Sequence, residues 1–178
     1  MKNLIFTVLV LCSALFASNG QNIKLEIGMK APDWVLTDAD GKQFTMESWI
    51  GKVLQINYVD PDVSDLNDTF NDAIKKAHEV DKRFDSNKFK GMGIVDCKST
   101  WKPNILIRTI AGNKAKKYNT TILFDYKANL QSLWGLPKDQ YTVVIIDKNR
   151  ICQAIYKGKI PESETENVIK LLIKLTSE

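Results

Sequence analysis

The run KVLQINYV, residues 52–59, constrains this chain most, because it has strand length, is nearly continuously apolar and then changes character abruptly. A strand of that kind belongs inside a sheet covered on both faces. An acidic elbow, DPDVSDLN, follows it and places Asp60, Asp62, Asp65 and Asn67 within eight residues. From Ser64 onward, apolar residues recur at Leu66, Phe70, Ala73, Ala77, Val80 and Phe84, the spacing of one buried helical face. The expected unit is a buried strand, an acidic elbow and an amphipathic helix.

The remaining segments alternate in the same way. WVLTD and KQFTM read as short strands joined through the Asp-Gly signal at Asp38–Gly41. FKGMGIVDC is a strand, and Pro103 suits the first turn of a helix running to about Lys117. TTILFD is a further strand and ANLQSLWGL a short helix or turn. YTVVIIDKNRICQAIYKG folds back on itself at Asp147–Arg150. In the closing PESETENVIKLLIKLTSE, Ser163 and Glu166 have the spacing of a capping box, while Val168, Leu171, Leu172 and Leu175 face inward. Trp34, Trp49 and Trp134 fall in strand or amphipathic contexts and are expected in the core. Alternating strands and helices with a closing hairpin give an α/β fold, a central mixed sheet with flanking helices and an N-terminal β-hairpin.

The first twenty residues stand apart. Lys2 supplies a basic end, Leu4 to Phe16 an apolar run, and Ala17 to Gly20 small residues, the pattern of a secretory signal peptide cut between Ala17 and Gln21. The apolar run is short for a membrane span, which needs about 20 residues. Val10 and Leu11 are too bulky for lipidation of Cys12. A signal over 1–20 leaves one domain over 21–178, and 178 residues at 44% hydrophobic content suffice for one core. The net charge of +4 falls to +3 without Lys2, and the lysines are dispersed, so nucleic acid is not an expected partner. One histidine, His78, leaves His-rich metal sites and Ser-His-Asp triads poorly supplied.

The order of these segments resembles the thioredoxin superfamily, and the chain is identified more narrowly as a member of the YtfJ family of exported bacterial proteins. The resemblance rests on IGMKAPDWVLTDADGKQFTMESWIGKVLQINYV, GKVLQINYVDPDVSDLN, STWKPNILI, NKAKKYNTTILFD, WGLPKDQYTVVIIDKNR and YKGKIPESE, in family order over residues 22–178. It implies a thioredoxin-like fold and a periplasmic location. In redox-active relatives a CxxC sits where the central strand gives way to its helix, and peptide N–H groups stabilise a thiolate there. Those two cysteine positions fall close to Val63 and Leu66 here. The proline that superfamily members carry just before the facing strand is replaced by Tyr141, with Pro137 several residues upstream. Thiol–disulfide exchange at the usual place is therefore excluded.

Beyond the signal two cysteines remain, Cys97 and Cys152, without CxxC spacing. Cys97 ends a strand next to the central one and Cys152 begins the last strand, at the opposite edge. The intervening strands put them beyond the roughly 7 Å reach of a disulfide, so two free thiols are expected. Lys98 and Lys102 would favour a thiolate at Cys97.

Two loops remain as candidate sites. Asp60, Asp62, Asp65 and Asn67 offer oxygen ligands to Ca²⁺ or Mg²⁺, although Asp65 stands where an EF-hand loop needs glycine. The DPD of the elbow also resembles the DxD of haloacid-dehalogenase-type phosphotransferases, but Asp147 alone does not supply their later acidic pair. The bland reading makes Asp60 and Pro61 a turn, Ser64 a cap and Asp65 a partner of the helix dipole. The second loop, KSTWKPN, brings Thr100, Trp101, Lys102 and Asn104 to the C-terminal strand edge, where parallel sheets place ligands. There Trp101 either covers the core or meets a partner, Asn104 suits a helix cap, and a Lys102 contact to the elbow would unite the two loops. The expectation is a binding or accessory protein for a periplasmic protein or peptide, with no cofactor and no membrane span. The alternatives are a thiol oxidoreductase or peroxiredoxin-like activity at Cys97, or a metal-dependent activity at Asp60, Asp62 and Asp65.

Overall fold

The computed structural model describes residues 24–178, so the signal segment and Cys12 lie outside the described residues. The elements in chain order are β1 (Leu36–Thr37), β2 (Gln43–Phe44), β3 (Val53–Val59), α1 (Asp68–Lys75), β4 (Phe89–Asp96), α2 (Asn104–Tyr118), β5 (Thr121–Asp125), α3 (Asn129–Trp134), β6 (Tyr141–Ile146), β7 (Cys152–Lys157) and α4 (Glu162–Ser177). They form one seven-stranded mixed sheet ordered β2-β1-β5-β4-β3-β6-β7. β3, β4 and β5 run parallel, while β1, β6 and β7 add antiparallel neighbours. This is the thioredoxin-like α/β topology that the segment order predicts.

Strand pleating explains why β3 is apolar on both sides. Leu54, Ile56 and Tyr58 point to one face, where Met92, Ile94 and Trp134 complete a core under α3 and the N-terminal segment. Val53 and Val59 point to the other, against Phe70 and Ile74 of α1 and Val168 and Leu172 of α4. Trp34 and Trp134 are buried and Trp49 packs beside the first core, as their contexts predict.

The turns follow side-chain chemistry. In the β1–β2 hairpin the Asp38 carboxylate accepts N–H bonds from Asp40 and Lys42, and Gly41 adopts φ +82°. In the β6–β7 hairpin Asp147 does the same for Asn149 and Ile151. Arg150, buried at the end of that turn, donates to the carbonyls of Met46, Trp49 and Lys52. One guanidinium thus stitches the last hairpin to the segment leading into β3.

Three helix starts differ from the sequence reading. The capping box at Ser163 and Glu166 does not form: α4 begins after Pro161 without a side-chain cap, and Glu166 holds Arg83 through two hydrogen bonds instead. Ser64 does not cap α1 either. Asp60 and Pro61 open a tight 3-10 turn over Pro61–Val63, and regular helix starts only at Asp68. Pro103 precedes α2 rather than entering its first turn, and Asn104 is the first helical residue, exposed and not a side-chain cap.

Candidate functional site

β3 and β4 are parallel, so the loops after both emerge at one edge of the sheet. The elbow and the Lys98–Pro103 loop meet there. The Lys102 ammonium pairs with the Asp62 carboxylate, both groups partly shielded, which joins the two candidate loops. Asp60 is buried, and its carboxylate accepts the Asp62 N–H at 2.7 Å. Burial raises the Asp60 carboxyl above the usual carboxylate range; Ser99 and Lys102 oppose that shift and Asp139 adds to it.

The other elbow residues face elsewhere. Asp65 is exposed and pairs with Lys114 of α2, which also holds Asp68. Asn67 is buried: its amide donates to the Gly158 carbonyl and accepts from the Ile160 N–H. Both faces of that side chain are committed to the β7–α4 connection, which leaves none for a ligand. Asp60, Asp62 and Asp65 thus each have a separate partner. Among the described residues no group of three or more His, Cys, Asp or Glu side chains is arranged to hold a metal ion.

The second loop is ordered by its own hydrogen bonds. Thr100 Oγ1 accepts the Lys102 N–H, the Ser99 hydroxyl donates to the Asp96 carbonyl, and Asp96 accepts the Lys98 N–H. Trp101, at the tip, is 86% exposed and so does not cover the core. Ile105 and Leu106, on the first turn of α2, are exposed beside it in sequence. Most large apolar side chains are buried; here three within six residues face solvent.

Among the described residues both cysteines, Cys97 and Cys152, are free thiols. Cys97 follows β4 and Cys152 opens β7, with β3 and β6 between them, which alone separates them by roughly 14 Å at the usual strand spacing. They also lie at opposite ends of their strands. Cys97 is half-buried, and burial together with Asp96 and Asp125 pushes its thiol up to about 12. The expected help from Lys98 and Lys102 is absent, because carboxylates rather than ammoniums dominate around the sulfur; Arg108 is the cation that opposes them. At the elbow, Val63 and Leu66 occupy the 3-10 turn and the stretch before α1. All described peptide bonds are trans, and Tyr141 begins β6 with its hydroxyl bonded by Asn71.

Sequence reasoning overlooked one polar cluster. Gln55 and Asn57 interrupt the apolar run of β3, and both point under α1 with Asn71 and Tyr141. The signal was the pair of amides at alternate positions, matched by Gly91 and Gly93 at alternate positions of β4.

Comparison with known proteins places these features. The family described as bacterial protein of unknown function (YtfJ_HI0045) matches residues 34–175. An uncharacterized protein of Haemophilus influenzae is 22% identical, over 94% of this chain and 96% of that one. Among solved structures, BsSco, a member of the Sco family of cytochrome c oxidase assembly proteins, aligns with a TM-score of 0.64 at 14% identity, over 88% of this chain and 99% of that one. The thioredoxin domain of a thiol-disulfide oxidoreductase from Bacteroides vulgatus aligns with a TM-score of 0.60 at 13% identity, over 84% and 99%. An exposed lipoprotein thioredoxin of Streptococcus pneumoniae gives 0.59 at 18% identity, over 79% and 100%. At these identities the structural likeness establishes the fold alone.

Proposed function

The chain belongs to the YtfJ family of bacterial proteins, and from that footing we propose that it is an exported, non-catalytic accessory protein that binds a polypeptide through the joined elbow and Thr100–Asn104 loops. The observation that carries this reading is Trp101, 86% exposed on a loop tied to the elbow through Lys102 and Asp62. An aromatic anchor on a braced loop, with Ile105 and Leu106 beside it, suits a small apolar hot spot ringed by polar groups. The same sheet edge carries the redox cysteines in CxxC thioredoxins, so a substrate-docking edge persists without its nucleophile. Export is supported by the signal pattern of residues 1–20. Among the described residues no helix is long and apolar enough to cross a membrane. The Sco family shows that this fold also serves cytochrome c oxidase assembly proteins. The alternative thiol activity at Cys97 is disfavoured by the burial and carboxylates that suppress its thiolate.

Affinity capture from a periplasmic extract tests the reading. Wild-type protein should recover a partner that Trp101→Ala loses almost entirely and Asp62→Ala recovers less well, with all three equally folded by circular dichroism. Equal recovery by the three proteins would contradict it.

A further inference from the structure

Gln55 and Asn57 of β3 lie opposite Gly91 and Gly93 of β4 in the sheet register. The two glycines remove side chains from the face that α1 and α2 cover. A cavity of about 350 Å³ fills that space, within the range of small-molecule sites. Its walls are apolar, from Ile74 of α1, Ile107 and Ala111 of α2, and Ile122 of β5. Ser86 and Asn119, both exposed, stand on its rim.

The floor is polar and incompletely satisfied. Gln55 is 3% exposed, and its Nε2 donates to Asn57 Oδ1 at 3.4 Å and Asn71 Oδ1 at 3.5 Å. Asn57 Nδ2 is committed to the Met92 carbonyl and Asn71 Nδ2 to the Tyr141 hydroxyl. The Met92 carbonyl can only accept, so Asn57 turns its oxygen to Gln55, and Asn71 as placed does the same. The Gln55 nitrogen therefore faces the asparagines and its oxygen faces away. That oxygen, Oε1, is buried without a protein donor. A buried acceptor left unpaired is costly, and a ligand donor would remove the cost.

We propose that this cavity is a binding site for a neutral, largely apolar small organic molecule whose hydroxyl or N–H donates to Gln55 Oε1. Neutrality is read from the uncharged floor and from the paired charges of α1 and α2. Among the described residues Lys52 and Lys90, at the starts of β3 and β4, are the lining cations without a carboxylate partner, and burial beside Lys52 pushes Lys90 toward its neutral form. Lys114 is held by Asp65 and Asp68, and Lys75 by Glu79, so the charged groups that α1 and α2 bring to the border are already neutralised. The floor itself is uncharged amide and phenol. A glycine-cleared, amide-floored pocket under two helices is separate from the Trp101 face and does not depend on the function proposed for that face.

Titration of ¹⁵N-labelled protein with benzyl alcohol, toluene and benzoate tests the site. Benzyl alcohol should shift the Gly91 and Gly93 amides and the Gln55 side-chain amide saturably. Toluene should bind about fivefold more weakly, the worth of one hydrogen bond, and benzoate should give no saturable shift. Gln55→Leu should bring the alcohol and toluene to within about twofold of each other. Gly91→Leu fills the cavity and should abolish both; an added Cβ there meets only the Phe89 ring, at 3.6 Å. Should Gly91→Leu fail to fold, Gln55→Leu decides. No saturable shift with benzyl alcohol, meaning a cavity that takes only water, would overturn the proposal. So would equal binding of the alcohol and toluene by wild type, or an alcohol preference that survives Gln55→Leu.

Discussion

Asp68 carries two cations, Lys114 and Lys117, and so ties the first turn of α1 to α2. Burial raises its carboxyl, but hydrogen bonds and charge from the two lysines outweigh burial and hold it below the usual carboxylate value. An acid lowered in the folded state binds fewer protons folded than unfolded. Its contribution is therefore fully present above the unfolded pKa, about 4, and is lost as pH falls through the lower folded value. Asp68→Asn should cost about 1 kcal/mol in urea unfolding at pH 7, since the carboxylate is only partly shielded. The gap between variant and wild type should narrow as pH falls below about 4; a gap that stays constant would contradict this linkage. At this scale the Lys102–Asp62 contact was legible, because both residues follow parallel strands and must emerge at one edge. The Glu166–Arg83 pair was not, since 83 residues separate its members and a local capping pattern competed with it.

Asn67 decides where α1 begins. Its side chain spans to Gly158 and Ile160, so the backbone before it is drawn into turns and regular helix waits until Asp68. Replacing Asn67 with alanine leaves a part-buried carbonyl and a buried N–H unpaired, a loss of about 2 kcal/mol in equilibrium unfolding. A loss under 0.5 kcal/mol would mean that other groups satisfy them. Apolar periodicity alone put the helix start four residues early, because Leu66 fits the stripe yet is exposed. Element types were legible from period and turn chemistry: the Asp-Gly hairpin, the largely buried β3 and the amphipathic α4 all follow from local pattern. What local pattern could not reveal was that Gln55 and Asn57 face Gly91 and Gly93, which requires the parallel register of β3 on β4.

The whole molecule keeps the thioredoxin frame and fills its reactive corner differently. Where a CxxC would open the helix after β3, a 3-10 turn capped by Asp60 and braced by Lys102 stands instead. The two thiols of the described residues sit in separate parts of the sheet, and burial pushes both up, Cys97 to about 12 and Cys152 to about 11. Neither is poised to attack a disulfide at neutral pH, because the thiolate is the attacking species. On the proposed function, the fold presents two loops at one sheet edge, with Trp101 86% exposed on one of them. The reduction of insulin by dithiothreitol, followed as turbidity with and without the protein, tests the lost redox chemistry most directly. The onset of precipitation should be unchanged by the protein at neutral pH. A marked acceleration that disappears in Cys97→Ser would contradict the account and assign the chain a working thiol.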